Sequence, residues 1–193
     1  MSLISTPQGA SVRLTAAGSG ADWGRRINRL VRDQLQTPAG ARQGRGQTDV
    51  LAPVAAFGDA APASERVMSF SASAADIVVR QGLKAPLLTG LASASGMDVK
   101  LLYEFTGIDR TTVARKAARQ DSLPREVAVK ALEFTELMAT AVDVFGAVAE
   151  ATRWLTRPHP LLDGETPLQR ARTPWGLQRV RAMLGALKYG GAV

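Results

Sequence analysis

The sequence predicts an all-α fold: a helix-turn-helix domain followed by a small helical domain, and preceded by a largely disordered N-terminal extension. Three observations predict it. Apolar residues recur at spacings of three and four. No segment shows sustained period-two alternation with β-branched enrichment. Helix punctuation repeats along the chain, with Asp or Thr ahead of an apolar run, Pro at its first position and Gly past its end.

The elements follow in order. Ala74 to Gln81 reads as a short helix ending near Gly82. Pro86 suits the first turn of the next, Ala85 to Ser93. Asp98 caps a third helix, which runs through Val99, Leu102 and Phe105 and stops at Gly107. Asp109 caps a fourth, to about Gln120. Pro124 opens a long helix with an apolar stripe of Val127, Phe134, Met138, Ala141, Val142 and Phe145, which Gly146 ends or kinks. Ala147 to Leu155 follows and leads to a proline turn. Thr166-Pro167 and Thr173-Pro174 each place a capping hydroxyl before a proline. The last helix carries Leu177, Val180, Leu184 and Leu187 on one face, and Gly190 follows it.

Ahead of this body, more than half of residues 37–64 are Ala, Gly or Pro, a composition that buries little and orders poorly. Trp23, Ile27, Leu30, Val31 and Leu35 repeat at helical spacing among Arg25, Arg26, Arg29 and Arg32. Such a helix can contact DNA, a protein partner or the body of its own dimer. An isolated helix this short is rarely stable, so a marginal helix over 22–35 on a floppy extension is expected. A translation start near Met68 is an alternative reading of the same segment. The expected divisions are an extension at 1–65, a helix-turn-helix domain at 66–146 and a C-terminal domain at 147–193.

Composition narrows the function. The chain has 193 residues, 46% hydrophobic but only 5% aromatic, so its core rests on Leu, Val, Ala and Met. The absence of cysteine excludes disulfides and Cys-based zinc sites, and fits a cytoplasmic protein. No apolar run approaches the roughly 20 residues that span a bilayer, and the start lacks a basic region followed by an apolar one. The net charge is +7, and its placement is uneven: residues 66–150 are neutral overall, while 151–193 are strongly basic. That balance suits nucleic acid or an acidic partner.

Residues 98–120 meet the requirements of a helix-turn-helix. Gly107 supplies a turn that tolerates positive φ, Ile108 plugs the interhelical angle, and Asp109 accepts the free N–H groups of the second helix. Val113 and Ala117 point one way along that helix. Thr112, Arg115, Lys116 and Arg119 lie on another face, with Arg110 and Thr111 in the first turn. These six side chains are the candidates for phosphate and base contact. Tyr103 and Lys116 depart from the usual pattern, which favours a small residue and an aliphatic one there.

The C-terminal segment is the most specific. It runs Trp154-Leu155, Pro158-His159-Pro160-Leu161, Asp163-Gly164-Glu165-Thr166-Pro167-Leu168 and finally Lys188-Tyr189-Gly190. This order resembles the toxin-binding domain of antitoxins in the RES–Xre family, also called MbcA/ParS/Xre-like. The resemblance covers roughly residues 85–193, with Phe105 to Thr112 standing where the family has its Xre-like turn and recognition helix. It implies a two-domain helical protein that dimerises and binds a cognate RES-domain toxin. Such toxins consume NAD⁺ and resemble ADP-ribosyltransferases. The antitoxin would cover the toxin's cleft and repress its own operon by binding operator DNA.

The residues expected to meet the toxin are Trp154, Leu161, Gly164, Thr166, Pro167, Trp175, Arg179, Lys188, Tyr189 and Gly190. Gly164 and Pro167 set a turn. Trp154 is expected mostly in the local core, while Trp175 lies off the apolar face of its helix and is better placed to touch a partner. Arg170, Arg172, Arg179, Arg181 and Lys188 are expected to give a basic surface, and residues 188–193 a flexible, aromatic-tipped tail able to enter a cleft. His159, the one histidine, lies between prolines and reads as a loop residue. No Ser/His/Asp set, HExxH or phosphate-binding loop is present, so neither enzymatic activity nor a cofactor is expected. The alternative function is a stand-alone helix-turn-helix transcriptional regulator with a helical dimerisation domain.

Overall fold

The structure, a computed structural model, describes residues 20–36 and 72–190. Among the described residues every regular element is helical. The composition-based expectation for 37–64, the alternative start near Met68 and the closing residues 191–193 lie outside them. Helix α1 spans Gly20–Gln36, α2 Ala72–Gln81, α3 Ala85–Ala94, α4 Val99–Thr106 and α5 Arg110–Ala118. Helix α6 spans Arg125–Phe145 and α7 Val148–Thr156; a 3₁₀ turn, Pro160–Leu162, then precedes α8, Pro167–Arg170, and α9, Pro174–Tyr189.

Local chemistry sets these boundaries. Asp98 accepts from the Lys100 amide at 2.9 Å and starts α4. Pro86, Pro167 and Pro174 occupy first turns, where a missing N–H costs nothing. Gly146 ends α6 in a left-handed conformation and does not kink it. The long α6 is the spine. Val127, Ala131, Phe134, Leu137, Met138, Ala141 and Val142 are all buried along it, and α1, α2, α4, α7 and α9 pack against it. Phe134 meets Phe105 of α4 edge-on, with ring centroids 5.9 Å apart. One buried cluster runs from Trp23 to Leu184.

Helix α1 corrects the expectation that this helix is marginal. Trp23, Ile27 and Val31 are 2%, 0% and 3% exposed, and they pack against α3 and α6. Burying such side chains stabilises by roughly 1.5–3 kcal/mol each, which outweighs the instability of the helix alone. Gly90 permits the close crossing, because a Cβ there would sit 2.8 Å from Leu30 Cδ2. The buried indole is also satisfied: Trp23 Nε1 donates to Ser95 Oγ at 3.4 Å. Ser95 is itself fully buried, and its carbonyl accepts from Thr152 Oγ1 of α7 at 2.6 Å. The corner therefore joins α1, the end of α3 and α7.

Candidate functional site

Two surfaces carry the residues singled out by the sequence. The first is α4–α5. Gly107 adopts φ 73°, ψ 18°, the left-handed turn the motif needs, and the Ile108 amide donates back to the Tyr103 carbonyl at 3.1 Å. Ile108 is buried in the angle between the helices, and Val113 holds α5 from the first turn. Asp109 caps α5, accepting from the Thr112 amide at 2.7 Å and from the Thr111 hydroxyl. Those bonds, Thr111 first and then the backbone and side chain of Thr112, hold the Asp109 carboxyl well below the usual carboxylate range.

Along α5, Arg110, Thr111, Arg115 and Arg119 are exposed, and Thr112 and Lys116 are half-buried. Five of the six candidates thus share one short helix and Arg119 is its C-cap, though not on equal terms. Lys116 turns towards Asp121, 3.6 Å away, and the Thr111 hydroxyl is engaged by the cap. Ala117, expected on the buried face, is exposed. The helix is nine residues long, with Val113 its one buried residue, and its end closes on itself, the Asp121 amide donating to the Lys116 carbonyl at 3.0 Å.

The second surface is built on the loop between α7 and α9. His159 starts the 3₁₀ turn, its Nδ1 accepting from the Leu161 amide at 3.3 Å. Among the described residues no cluster of ligating side chains surrounds it. Thr166 and Gln169 close a reciprocal capping box at 3.1 and 3.0 Å. Two arginines clamp the loop. Arg170 Nη2 donates to the Leu162 carbonyl at 3.1 Å and to Asp163 Oδ2 at 2.7 Å, and its Nε lies 3.1 Å from Glu165 Oε2 without hydrogen-bond alignment. Arg179 Nη2 donates to the Leu161 carbonyl at 2.6 Å.

This clamp buries Leu162 completely and leaves Leu161 41% exposed. Trp175 is 81% exposed, and it stands one turn before Arg179 on α9. Trp175, Arg179 and Leu161 are therefore brought to one face. Gly164 of the same loop is exposed, with φ +80°. Pro167 is buried and Thr166 is spent on the cap, so these two shape the surface from behind. Trp154 is half-buried between Phe145 and His159, with ring centroids 5.7 and 6.2 Å away.

Two expectations about this region need correction. Lys188 and Tyr189 are the last turn of α9, capped by left-handed Gly190, and not part of a flexible tail. Lys188 pairs with Asp143 at 2.6 Å, and that hydrogen bond raises its pKa above the ordinary lysine value. Tyr189 is 82% exposed, with the Lys188 ammonium 5.6 Å from its ring centroid. The basic surface is also smaller than its sequence suggests. Arg170 is neutralised by Asp163 and Glu165, and Arg181 pairs with Glu136 at 2.7 Å. Of the five cations, Arg172 and Arg179 alone form no ion pair among the described residues. The signal missed in the sequence was the pair of acids on α6, Glu136 and Asp143, that α9 lies against, together with Asp163 and Glu165 of the loop.

The clamped loop and the exposed aromatic lie in one C-terminal segment. Residues 140–190 match the family described as the antitoxin Xre/MbcA/ParS C-terminal toxin-binding domain. The chain is also 25% identical over 122 residues to a Sphingobium sp. (strain YBL2) protein described as a Prs ADP-ribosylating antitoxin, covering 58% of this chain and 77% of that one. Residues 140–190 are thus similar to the toxin-binding domain of Xre/MbcA/ParS-type antitoxins. No helix among the described residues is long and apolar enough to cross a membrane.

Proposed function

We propose that this protein neutralises a cognate RES-domain toxin by binding it through the Leu161–Trp175–Arg179 face, and represses its own operon through α4–α5. The carrying observation is Trp175. A tryptophan 81% exposed, beside an arginine-clamped loop within the segment that matches a toxin-binding domain, is an anchor that the described residues leave uncovered. The Sphingobium relative is named for ADP-ribosylation, a chemistry that consumes NAD⁺, and this supports a toxin of that class. Exposed Arg110, Arg115 and Arg119 on a capped α5 support contact with operator DNA. We read the protein as a cytoplasmic homodimer that acts by binding, with no catalysis and no cofactor of its own.

The test is co-expression with the RES-domain protein of the same operon, with growth, cellular NAD⁺ and co-purification as readouts. Restored growth, preserved NAD⁺ and a stable complex are expected. Continued NAD⁺ loss with no complex formed would instead leave a stand-alone helix-turn-helix regulator.

A further inference from the structure

The surface of α1 has a use that the two faces above do not absorb. Its buried side is fixed by Trp23, Ile27 and Val31, while Arg26 and Arg29 face solvent. Many cations of the body close on carboxylates: Arg80 on Asp76 at 2.7 Å, Lys130 on Glu133 at 2.6 Å and Arg181 on Glu136 at 2.7 Å. Among the described residues Arg26 and Arg29 form no ion pair, and neither do Arg110, Arg115 and Arg119 of α5. The two helices also share a support, since α1 and α5 both pack on α3. The main packing partners of α1 are α3 and α6, not α8 or α9. Its exposed arginines are therefore carried by a helix docked on α3, the helix that α5 also packs against.

We infer that the outer face of α1 is a second contact for the phosphate backbone of duplex DNA, made by Arg26 and Arg29. This rests on the DNA reading of α5 and extends it to a segment outside the helix-turn-helix. The chemistry fits: a guanidinium presents a planar fork of donors to two phosphate oxygens. Phosphate contacts fix orientation on the duplex and add affinity without reading sequence. A docked helix holds its charges in place, so little ordering remains to oppose binding.

The experiment uses the full chain carrying Arg26→Gln and Arg29→Gln together. Fluorescence anisotropy follows binding to a labelled duplex of its own promoter and to a shuffled duplex, across a salt series. Arg80→Gln, which removes one ion-paired surface charge, is the single-charge control. The double variant should bind both duplexes more weakly by the same factor, on the order of ten-fold, and its salt slope should be shallower by about 2. Its melting temperature should match wild type, because both side chains are exposed. Wild-type affinity and slope in this variant, alongside weakened binding by Arg115→Ala/Arg119→Ala, would overturn the inference and leave the α5 reading standing. A loss confined to toxin binding overturns it too. If the wild-type protein binds neither duplex, the α5 reading falls first and this one with it.

Discussion

Helices α1 and α9 begin alike and end up opposite. Each carries a tryptophan within its first four residues and arginines beyond it. Trp23 is 2% exposed and Trp175 is 81% exposed. The difference is register. Trp23 precedes Ile27 and Val31 by four and eight residues, so all three share one face. Trp175 falls two residues before Leu177, roughly 200° around the helix from a stripe that continues through Val180 and Leu184. One indole is consumed by the fold, and the other is left over for a partner.

The largest expected effect lies on the buried side of that comparison. Trp23→Ala should cost about 3–5 kcal/mol, because it empties a filled site and removes the donor to Ser95. Thermal unfolding should report a fall on the order of 10 °C. Trp175→Ala should change stability by no more than about 0.5 kcal/mol. Equal melting temperatures in the two variants would mean that α1 contributes nothing to the fold in solution.

The next effect inverts the order. Trp175→Ala should weaken binding to the RES-domain partner by about 2 kcal/mol or more, near thirty-fold in Kd, if it is the anchor proposed. Calorimetric titration of the purified toxin measures it. A full-affinity Trp175→Ala protein moves recognition elsewhere on residues 140–190.

What the sequence made legible was chemistry that acts over a few residues. Asp98, Asp109, Thr166 and Thr173 cap where their spacing predicted, and Gly107, Gly146 and Gly190 end helices in left-handed turns. The outward Trp175 was legible for the same reason, since its angle to Leu177 is fixed within one helix. The docking of α1 was not, because it depends on Gly90 and Ser95, some seventy residues away. The neutralised cations were hidden likewise: Arg181–Glu136 and Lys188–Asp143 each span 45 residues. Ala117 shows the limit within one helix, as its period is correct but α3 does not cover it.

The smallest effect sharpens the far end of α9. Tyr189 is almost wholly in solvent, yet Lys188 beside it is tied to Asp143 of α6. The pair raises the lysine pKa above its ordinary 10.5, through the Asp143 hydrogen bond first and its charge second. A raised pKa on a cation means the folded state holds the proton more tightly than the unfolded one. The pair's contribution is therefore complete below pH 10.5 and fades as pH climbs through the raised folded value. Lys188→Met keeps most of the aliphatic stem and removes the charge. It should lower the melting temperature slightly at neutral pH, since exposed pairs contribute little, and that deficit should narrow once the pH passes 10.5. A deficit that stays constant through the alkaline range would assign the role of Lys188 to stem packing. Tyr189→Ala should leave the melting temperature at neutral pH almost unmoved, its ring meeting only the Lys188 ammonium, which would separate the residue that holds α9 down from the one beside it that stands in solvent.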